Sequence, residues 1–484
     1  MQFAQRTVRG VVWAYVVFLG GRLFTMVSTA VLARLLVPED FGLVGFALLL
    51  LTFFEATRDF GISDALIYNT EREEDTATTA FWVNALIGVV QYALILLLAP
   101  WSVSIVGDVR IIPILQVIGV TFLLNALGNT HDGLLQKELQ FNKRYLPELF
   151  SALIKGVLAI ALAFAGYGVW SLVWSHVIGA AVRMVSKWWL MPFRPQFAFY
   201  MDRARALWNY GVYVLAFSVF TILLDQADQA IIGFLLGTAQ LGYYTVAVKI
   251  PEMVIANFNL VLTRVLFPMY SKIKDDDDLL IDAFLKTTQY TAFVAVPMGL
   301  GIALIAPELT LLVFGERWEA AIPLMQVLAL LGTVTALPWT AGDMLKAKGR
   351  PDISTKLLFV EALYTFPIII YLGFTTHQAV WTSFGNLLAM CITVVLRLAV
   401  AARFLKISIW RYIPVFASSF VAGVAMVVMV LGAKQLVTGA APILILINSI
   451  GLGALVYGGV LYALERKNLQ NARSLFLSSV RGDD

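Results

Sequence analysis

The chain repeats itself, and the spacing of the repeats limits what it can fold into. Ile112-Pro113-Ile114-Leu115-Gln116-Val117 returns 210 residues later as Ile322-Pro323-Leu324-Met325-Gln326-Val327. Ala126-Leu127 returns at the same spacing as Ala336-Leu337. A second set lies 200 residues apart: Leu35-Leu36, Phe41-Gly42 and Ala47 against Leu235-Leu236, Leu241-Gly242 and Ala247. Six long hydrophobic segments separate the copies, and an even number restores orientation. The halves are therefore read as parallel repeats, related by an axis along a membrane normal.

Composition supplies the membrane. Hydrophobic residues make up 60% of the chain and charged residues 14%, outside the range of soluble globular domains. Apolar runs of about 20 residues recur from end to end, each able to cross a hydrocarbon core of about 30 Å. Fourteen spans are expected, near 11–36, 42–66, 78–99, 111–134, 146–166, 168–191, 208–236, 242–268, 287–306, 320–343, 354–373, 378–402, 412–434 and 442–463. The first follows Arg6 and Arg9 but is too long for a signal peptide and contains Arg22, so it is read as a membrane helix. The expected fold is all-α and integral to the membrane. It has two parallel six-helix lobes, 1–205 and 206–405, around a central cavity, and two further helices with a cytoplasmic tail in 406–484.

The basic residues orient these spans. With the N-terminus inside, 25 of the 35 Lys and Arg fall in cytoplasmic segments, and Arg34, Arg110, Arg317 and Lys434 fall outside. The positive-inside rule then places both termini in the cytoplasm. The linker Pro192–Arg205 is expected along the inner surface, and Lys272–Asp278 (KIKDDDD) as a solvated loop, since four consecutive Asp cannot all reach one ion. Cys391, the sole cysteine, allows no internal disulfide and is read as a packed core thiol. His131, His176 and His377 lack metal-ligand spacing and are read as loop or interface residues. No metal, no cofactor and no nucleic-acid partner is expected. No Walker sequence is present, and the connections on the outer side are short, which argues against an ATPase and against an enzyme with an external catalytic domain.

Charges within the spans carry the functional reading. A charge at mid-bilayer costs about 2.5–3.5 kcal/mol on insertion scales and normally faces water or a partner. Arg22 lies about 18 Å into the first span at 1.5 Å per residue. The second span holds Glu55, Arg58 and Asp59 within two turns. Asp225 and Asp228 lie on the seventh; Lys249, Glu252 and Arg264 lie on the eighth, with Pro251 freeing a backbone carbonyl. Lys155 and Glu361 add one charge each, and Arg397 is read as snorkelling to an interface. Two readings stand: a hydrated cavity lined by these groups, or buried ion pairs that fix helix register. A guanidinium binds phosphate oxygens bidentately and keeps its charge, so the first reading suits an anionic, phosphate-bearing cargo.

Several stretches resemble one family. Leu32-Ala33-Arg34-Leu35-Leu36-Val37-Pro38-Glu39-Asp40-Phe41-Gly42 is similar to the segment after the first helix of Wzx-type bacterial polysaccharide transporters. Asp225 and Asp228, Ile232-Gly233, Leu236-Gly237, Leu241-Gly242-Tyr243-Tyr244 and Val265-Leu266-Phe267-Pro268 resemble that family's second-half pattern. Phe314-Gly315-Glu316-Arg317-Trp318 with Ala321 resembles its motif after the ninth helix. The family shares a superfamily with lipid II flippases and multidrug exporters.

The resemblance implies a flippase of the bacterial inner membrane. Its cargo would be an undecaprenyl-diphosphate-linked oligosaccharide repeat unit, moved from cytoplasmic to periplasmic leaflet by alternating access, for exopolysaccharide, O-antigen or capsule assembly. Membrane lipids, a polymerase and a chain-length regulator are the implied partners. Arg22, Arg58, Arg264 and Lys249 would engage the diphosphate. Glu55, Asp59, Asp225, Asp228 and Glu252 would balance the cavity or couple it to protons, sodium ions or the membrane potential. The alternatives are a cation-coupled multidrug exporter of the same superfamily, which the arginines oppose, and a non-transporting scaffold of a glycan-assembly complex.

Overall fold

The computed structural model describes residues 20–55, 73–138, 140–201, 220–437 and 439–481, and these are almost entirely helical. The chain forms two compact units, Met1–Val246 and Ala247–Asp484. In the first unit, α1 covers residues 20–35. It is followed by α2 (Pro38–Glu55), α3 (Glu73–Val106), α4 (Ile111–Lys137), α5 (Phe141–Phe164), α6 (Val169–Leu190), α7 (Ala227–Leu235) and α8 (Gly237–Ala247), which ends at the boundary. In the second unit lie α9 (Asn257–Ile273), α10 (Asp277–Val313), α11 (Ile322–Ala336), α12 (Trp339–Ala347), α13 (Pro351–Thr376), α14 (Ala379–Phe404), α15 (Tyr412–Leu436) and α16 (Pro442–Arg481).

Among the described residues, ten helical segments are long and apolar enough to cross a membrane. They coincide with the third to sixth and ninth to fourteenth expected spans. The first, second and seventh spans run partly into residues outside the described set, and the eighth is interrupted. The interruption lies where Pro251, lacking an N–H, removes a helical hydrogen bond: a short helical turn, Lys249–Pro251, passes into a π-helical turn, Glu252–Ala256, before α9 resumes.

The repeat read from the sequence is visible as packing. In the first unit α3 packs on α4, α5 on α6, and α4 on α6. In the second, α10 packs on α11, α13 on α14, and α11 on α14. These are the same three pairings, 210 residues on. Two further helices, α15 and α16, pack on each other and on α10 and have no counterpart among the described helices of the first unit.

The 200-residue repeat meets itself within the first unit. A Cβ on Gly42 would sit 1.8 Å from the Thr238 carbonyl oxygen, and a Cβ on Gly242 would sit 1.9 Å from the Pro38 carbonyl oxygen. Pro38 and Thr238, like Gly42 and Gly242, are 200 residues apart, so the contact is reciprocal. Only glycine lets two helix starts approach this closely. Phe46 and Phe234 extend the contact edge to face at 5.4 Å. This packing explains why residues 220–246, which belong to the second repeat by sequence, lie in the first compact unit.

Local signals set the helix ends. Pro38 opens α2 at its first position, where the missing N–H costs nothing. Asp40 Oδ2 reaches back to the Val37 N–H at 3.5 Å, half of a capping box, and burial pushes the Asp40 carboxyl up from its ordinary value. In the acidic run, Asp276 caps α10 by accepting from the Leu279 N–H at 3.0 Å, and Asp277 accepts from Lys348 Nζ at 2.6 Å. That run is helix-starting chemistry, with no metal cluster among the described residues.

Candidate functional site

The membrane charges sort by face and by partner. On α1, Phe24 and Ser28 face α5, where a Cβ on Gly156 would lie 2.3 Å from Ser28 Oγ and 2.5 Å from the Phe24 ring. Leu23 and Val27 are more than half exposed and form an apolar stripe. Arg22, Thr25 and Thr29 lie on a third line, roughly 150° from that stripe at 100° per residue. Arg22 and Thr25 are exposed and Thr29 is half-buried. The Thr25 and Thr29 hydroxyls donate to the carbonyls one turn back, at 2.8 and 2.9 Å. An exposed apolar stripe suits lipid, whereas an exposed stripe with a guanidinium and two hydroxyls suits water. Gly21, Gly156 and Ser28 fix α1 in this rotation.

The other expected residues are placed as follows. Glu55 ends α2 and is exposed, while Arg58 and Asp59 lie outside the described residues. Asp225 and Asp228, expected on one continuous span, are separated by a break in the helix at Gln226. Asp225 is exposed, but Asp228 is 3% exposed, accepting from the Tyr244 hydroxyl at 2.9 Å and from the Gln229 N–H at 2.8 Å. Asp228 thus joins α7 to α8. In the second unit, Lys249 is exposed and Glu252 half-buried at the π-helical interruption, and Arg264 lies on α9.

Other charges form pairs. Arg397 does not snorkel: its guanidinium donates to Glu361 Oε2 at 2.7 Å, joining α13 to α14, because a carboxylate one helix away satisfies it better than a distant interface. Lys434 donates to both Glu308 oxygens at 2.6 and 2.7 Å. Cys391 is exposed rather than packed, on the outward face of α14 with Leu388, Ile392 and Val395.

At the C-terminal end of α4, Asp132 accepts from Lys187 at 3.1 Å and Arg144 at 3.1 Å, while Arg183 reaches Glu148 at 3.3 Å. His131 is fully buried there, stacked on Trp188 at 4.7 Å with Nε2 at 3.2 Å from the Phe193 carbonyl. Trp188 donates to the Leu127 carbonyl at 2.8 Å, and Arg194 covers its ring at 5.5 Å. The linker continues over the start of α3, where Trp82 donates to the Gln196 carbonyl at 2.8 Å and the Tyr200 N–H donates to Thr79 Oγ1 at 3.3 Å. Arg194 of the linker is thereby fixed against the helix ends.

One polar pair escaped the sequence reading. Lys155 Nζ donates to His176 Nε2 at 2.7 Å, and His176 Nδ1 lies 2.9 Å from the Leu172 carbonyl. With Nδ1–H serving that carbonyl, Nε2 is left to accept. The signal was the helical hairpin: Lys155 lies nine residues before the end of α5 and His176 seven after the start of α6. Antiparallel helices bring such positions level.

Two repeated helical sets and many charges within the spans define the class: an all-helical, multi-pass membrane protein with an internally duplicated fold. Residues 31–323 match the model of the family described as "Polysaccharide biosynthesis protein", and the chain belongs to that family. It is 27% identical over 405 residues to the lipopolysaccharide biosynthesis protein WzxC of Escherichia coli K12, covering 82% of this chain and 81% of that one. It is 25% identical over 371 residues to the succinoglycan biosynthesis transport protein ExoT of Rhizobium meliloti, covering 76% and 74%. Its fold is that of the lipid II flippase MurJ in an inward closed conformation, with a TM-score of 0.75 at 14% identity over 95% of this chain and 100% of that one.

Proposed function

We propose that the protein moves undecaprenyl-diphosphate-linked oligosaccharide from the cytoplasmic to the outer leaflet of a bacterial inner membrane, both termini being cytoplasmic. The observation that carries this is the polar stripe of α1, with Arg22 and Thr25 exposed along one line of the helix, in a fold shared with a lipid II flippase. A diphosphate and its sugars cannot cross hydrocarbon unaided, while a prenyl chain can stay in lipid. A hydrated path open to each leaflet in turn meets both needs, with one six-helix repeat (1–205) rocking against the other (206–405). Residues 406–484 are an appended pair of helices.

Arg22, with Arg58, Lys249 and Arg264, holds the diphosphate in this account, arginine being suited to bidentate contact with phosphate oxygens. Glu55, Asp59, Asp225 and Glu252 balance these cations in the empty carrier or take up a coupling ion. Asp228 serves by holding α7 to α8. A polymerase and a chain-length regulator would act on the delivered repeat units. The family membership and the ExoT relative favour transport over catalysis.

The test is the leaflet distribution of lipid-linked glycan in cells carrying the wild type, Arg22→Ala or no protein. Cytoplasmic-leaflet accumulation in the last two, at matched protein level, is the expected result. Accumulation in none of them contradicts the proposal.

A further inference from the structure

Near the end of α4 and its counterpart in α12, the two repeats exchange a pair of neighbours. Asp132-Gly133 near the end of α4 corresponds, 210 residues on, to Gly342-Asp343 in α12. The register is secured by the matching helix ends. Glu138 N–H donates to the Leu134 carbonyl and Lys348 N–H to the Met344 carbonyl; Gln140 N–H donates to the Leu135 carbonyl and Arg350 N–H to the Leu345 carbonyl. Exchanging the two residues carries the carboxylate about 100° round the helix. Asp132 thereby meets Lys187 and Arg144, while Asp343 turns into the packed face.

The consequence is a carboxyl group with too few partners. Asp343 is 1% exposed, and among the described residues its Oδ2 has no hydrogen-bond partner. Its Oδ1 lies 3.8 Å from Lys346 Nζ, one turn on, and the Lys346 side chain is 52% exposed. Thr263 of α9 lies beside Asp343, and its hydroxyl accepts from Trp339 Nε1. Tyr270 of α9 also faces it, but its hydroxyl is engaged with Thr287 of α10. α10 further presents Thr288, bonded to Thr340 at 2.9 Å. On α13 and α14, Glu361 and Arg397 are paired with each other. A buried carboxylate with one oxygen unpartnered and an ammonium 3.8 Å from the other is costly to keep charged.

We propose that Asp343 is a proton-binding site of the second repeat, loaded from cytoplasmic water past Lys346, and that its charge controls how firmly α12 holds α9 through Thr263. The proton forms the Oδ2–H bond on binding and returns to water on release. Thr263 precedes Arg264, so the site deepens the transport reading and rests on it: a proton at Asp343 acts on the helix that carries a diphosphate-binding arginine.

The experiment is infrared difference spectroscopy of the purified full-length protein in lipid nanodiscs, titrated between acid and alkaline pH. The wild type should show the carbonyl band of a protonated carboxyl near neutral pH, lost in Asp343→Asn and retained in Asp132→Asn. Asp343→Glu should shift the band, which keeps the test decisive if Asp343→Asn accumulates poorly. A band retained in Asp343→Asn, no neutral-pH band in the wild type, or a band abolished by sodium at constant pH would each overturn the proposal. In proteoliposomes Asp343→Asn should flip a labelled polyprenyl-diphosphate sugar down its gradient but ignore an imposed pH difference. Unchanged response to that difference would also overturn it. Absence of flipping by the wild type would instead remove the transport reading and leave the infrared result to decide the site.

Discussion

At one end of the helices the two repeats agree to the level of single atoms; at the other they part. Where α2 and α8 begin, on the periplasmic side in the proposed orientation, Gly42 meets the Thr238 carbonyl and Gly242 meets the Pro38 carbonyl. At the cytoplasmic ends of α4 and α12, an Asp-Gly pair has become Gly-Asp. One carboxylate sits in a network of cations and the other is nearly alone. The difference teaches how a duplicated fold acquires separate tasks. Close backbone packing leaves no room for divergence, whereas a carboxylate can be turned from a structural to a titratable setting by a step of one residue.

The comparison can be broken most severely at the matched end. Gly42→Val puts carbon into space held by the Thr238 backbone, which cannot yield as a side chain would, and should cost at least about 3 kcal/mol. Membrane-inserted protein should fall sharply, read by detergent-solubilised yield and thermal unfolding. Normal yield and unfolding temperature would mean that the reciprocal contact is not tight. Next comes Asp132→Ala. It leaves Lys187, only 6% exposed, without its nearest carboxylate, and should destabilise by about 3 kcal/mol. Adding Lys187→Met should recover much of the loss, as a double-mutant cycle would show.

Asp343→Asn sharpens the contrast, because removing a poorly partnered carboxylate should change stability by less than about 1 kcal/mol, or raise it, at neutral pH. A loss equal to that of Asp132→Ala would mean that Asp343 is a structural ion pair after all. The smallest effect is expected at the α3–α4 connection. There the Arg110 hydrogen bonds hold the Asp108 carboxyl below the ordinary aspartate value. A depressed folded value means that the contribution is complete above the unfolded aspartate pKa of about 3.9 and fades as pH falls through the lower folded value. The pair is largely exposed, so Arg110→Ala should cost under about 1 kcal/mol at pH 7 and nothing at strongly acid pH.

Much of the fold could be read in advance from spacing. The offsets of 200 and 210 residues became two matching sets of helix pairings, and ten of the expected spans are present as long apolar helices. Pro251 marked the interruption of the eighth span because a missing N–H is a local property. Partners were harder to read. Arg397 was assigned to an interface, although Glu361 lies across the helix pair; Lys155 and His176 meet only because a hairpin turn sets their level. Asp343 gave no sequence signal of its own. Its setting depends on which way one helix faces, and that becomes visible only beside Asp132.

The account turns on whether the polar stripe of α1 serves an anionic lipid head group. The most direct measurement is flipping of a labelled polyprenyl-diphosphate oligosaccharide by purified protein in proteoliposomes, comparing wild type, Arg22→Lys and Arg22→Ala. The account predicts transport by the wild type, a reduced rate for Arg22→Lys, which keeps the charge but loses the bidentate fork, and at least about a tenfold loss for Arg22→Ala, the equivalent of 1.4 kcal/mol. Equal rates for all three would contradict it.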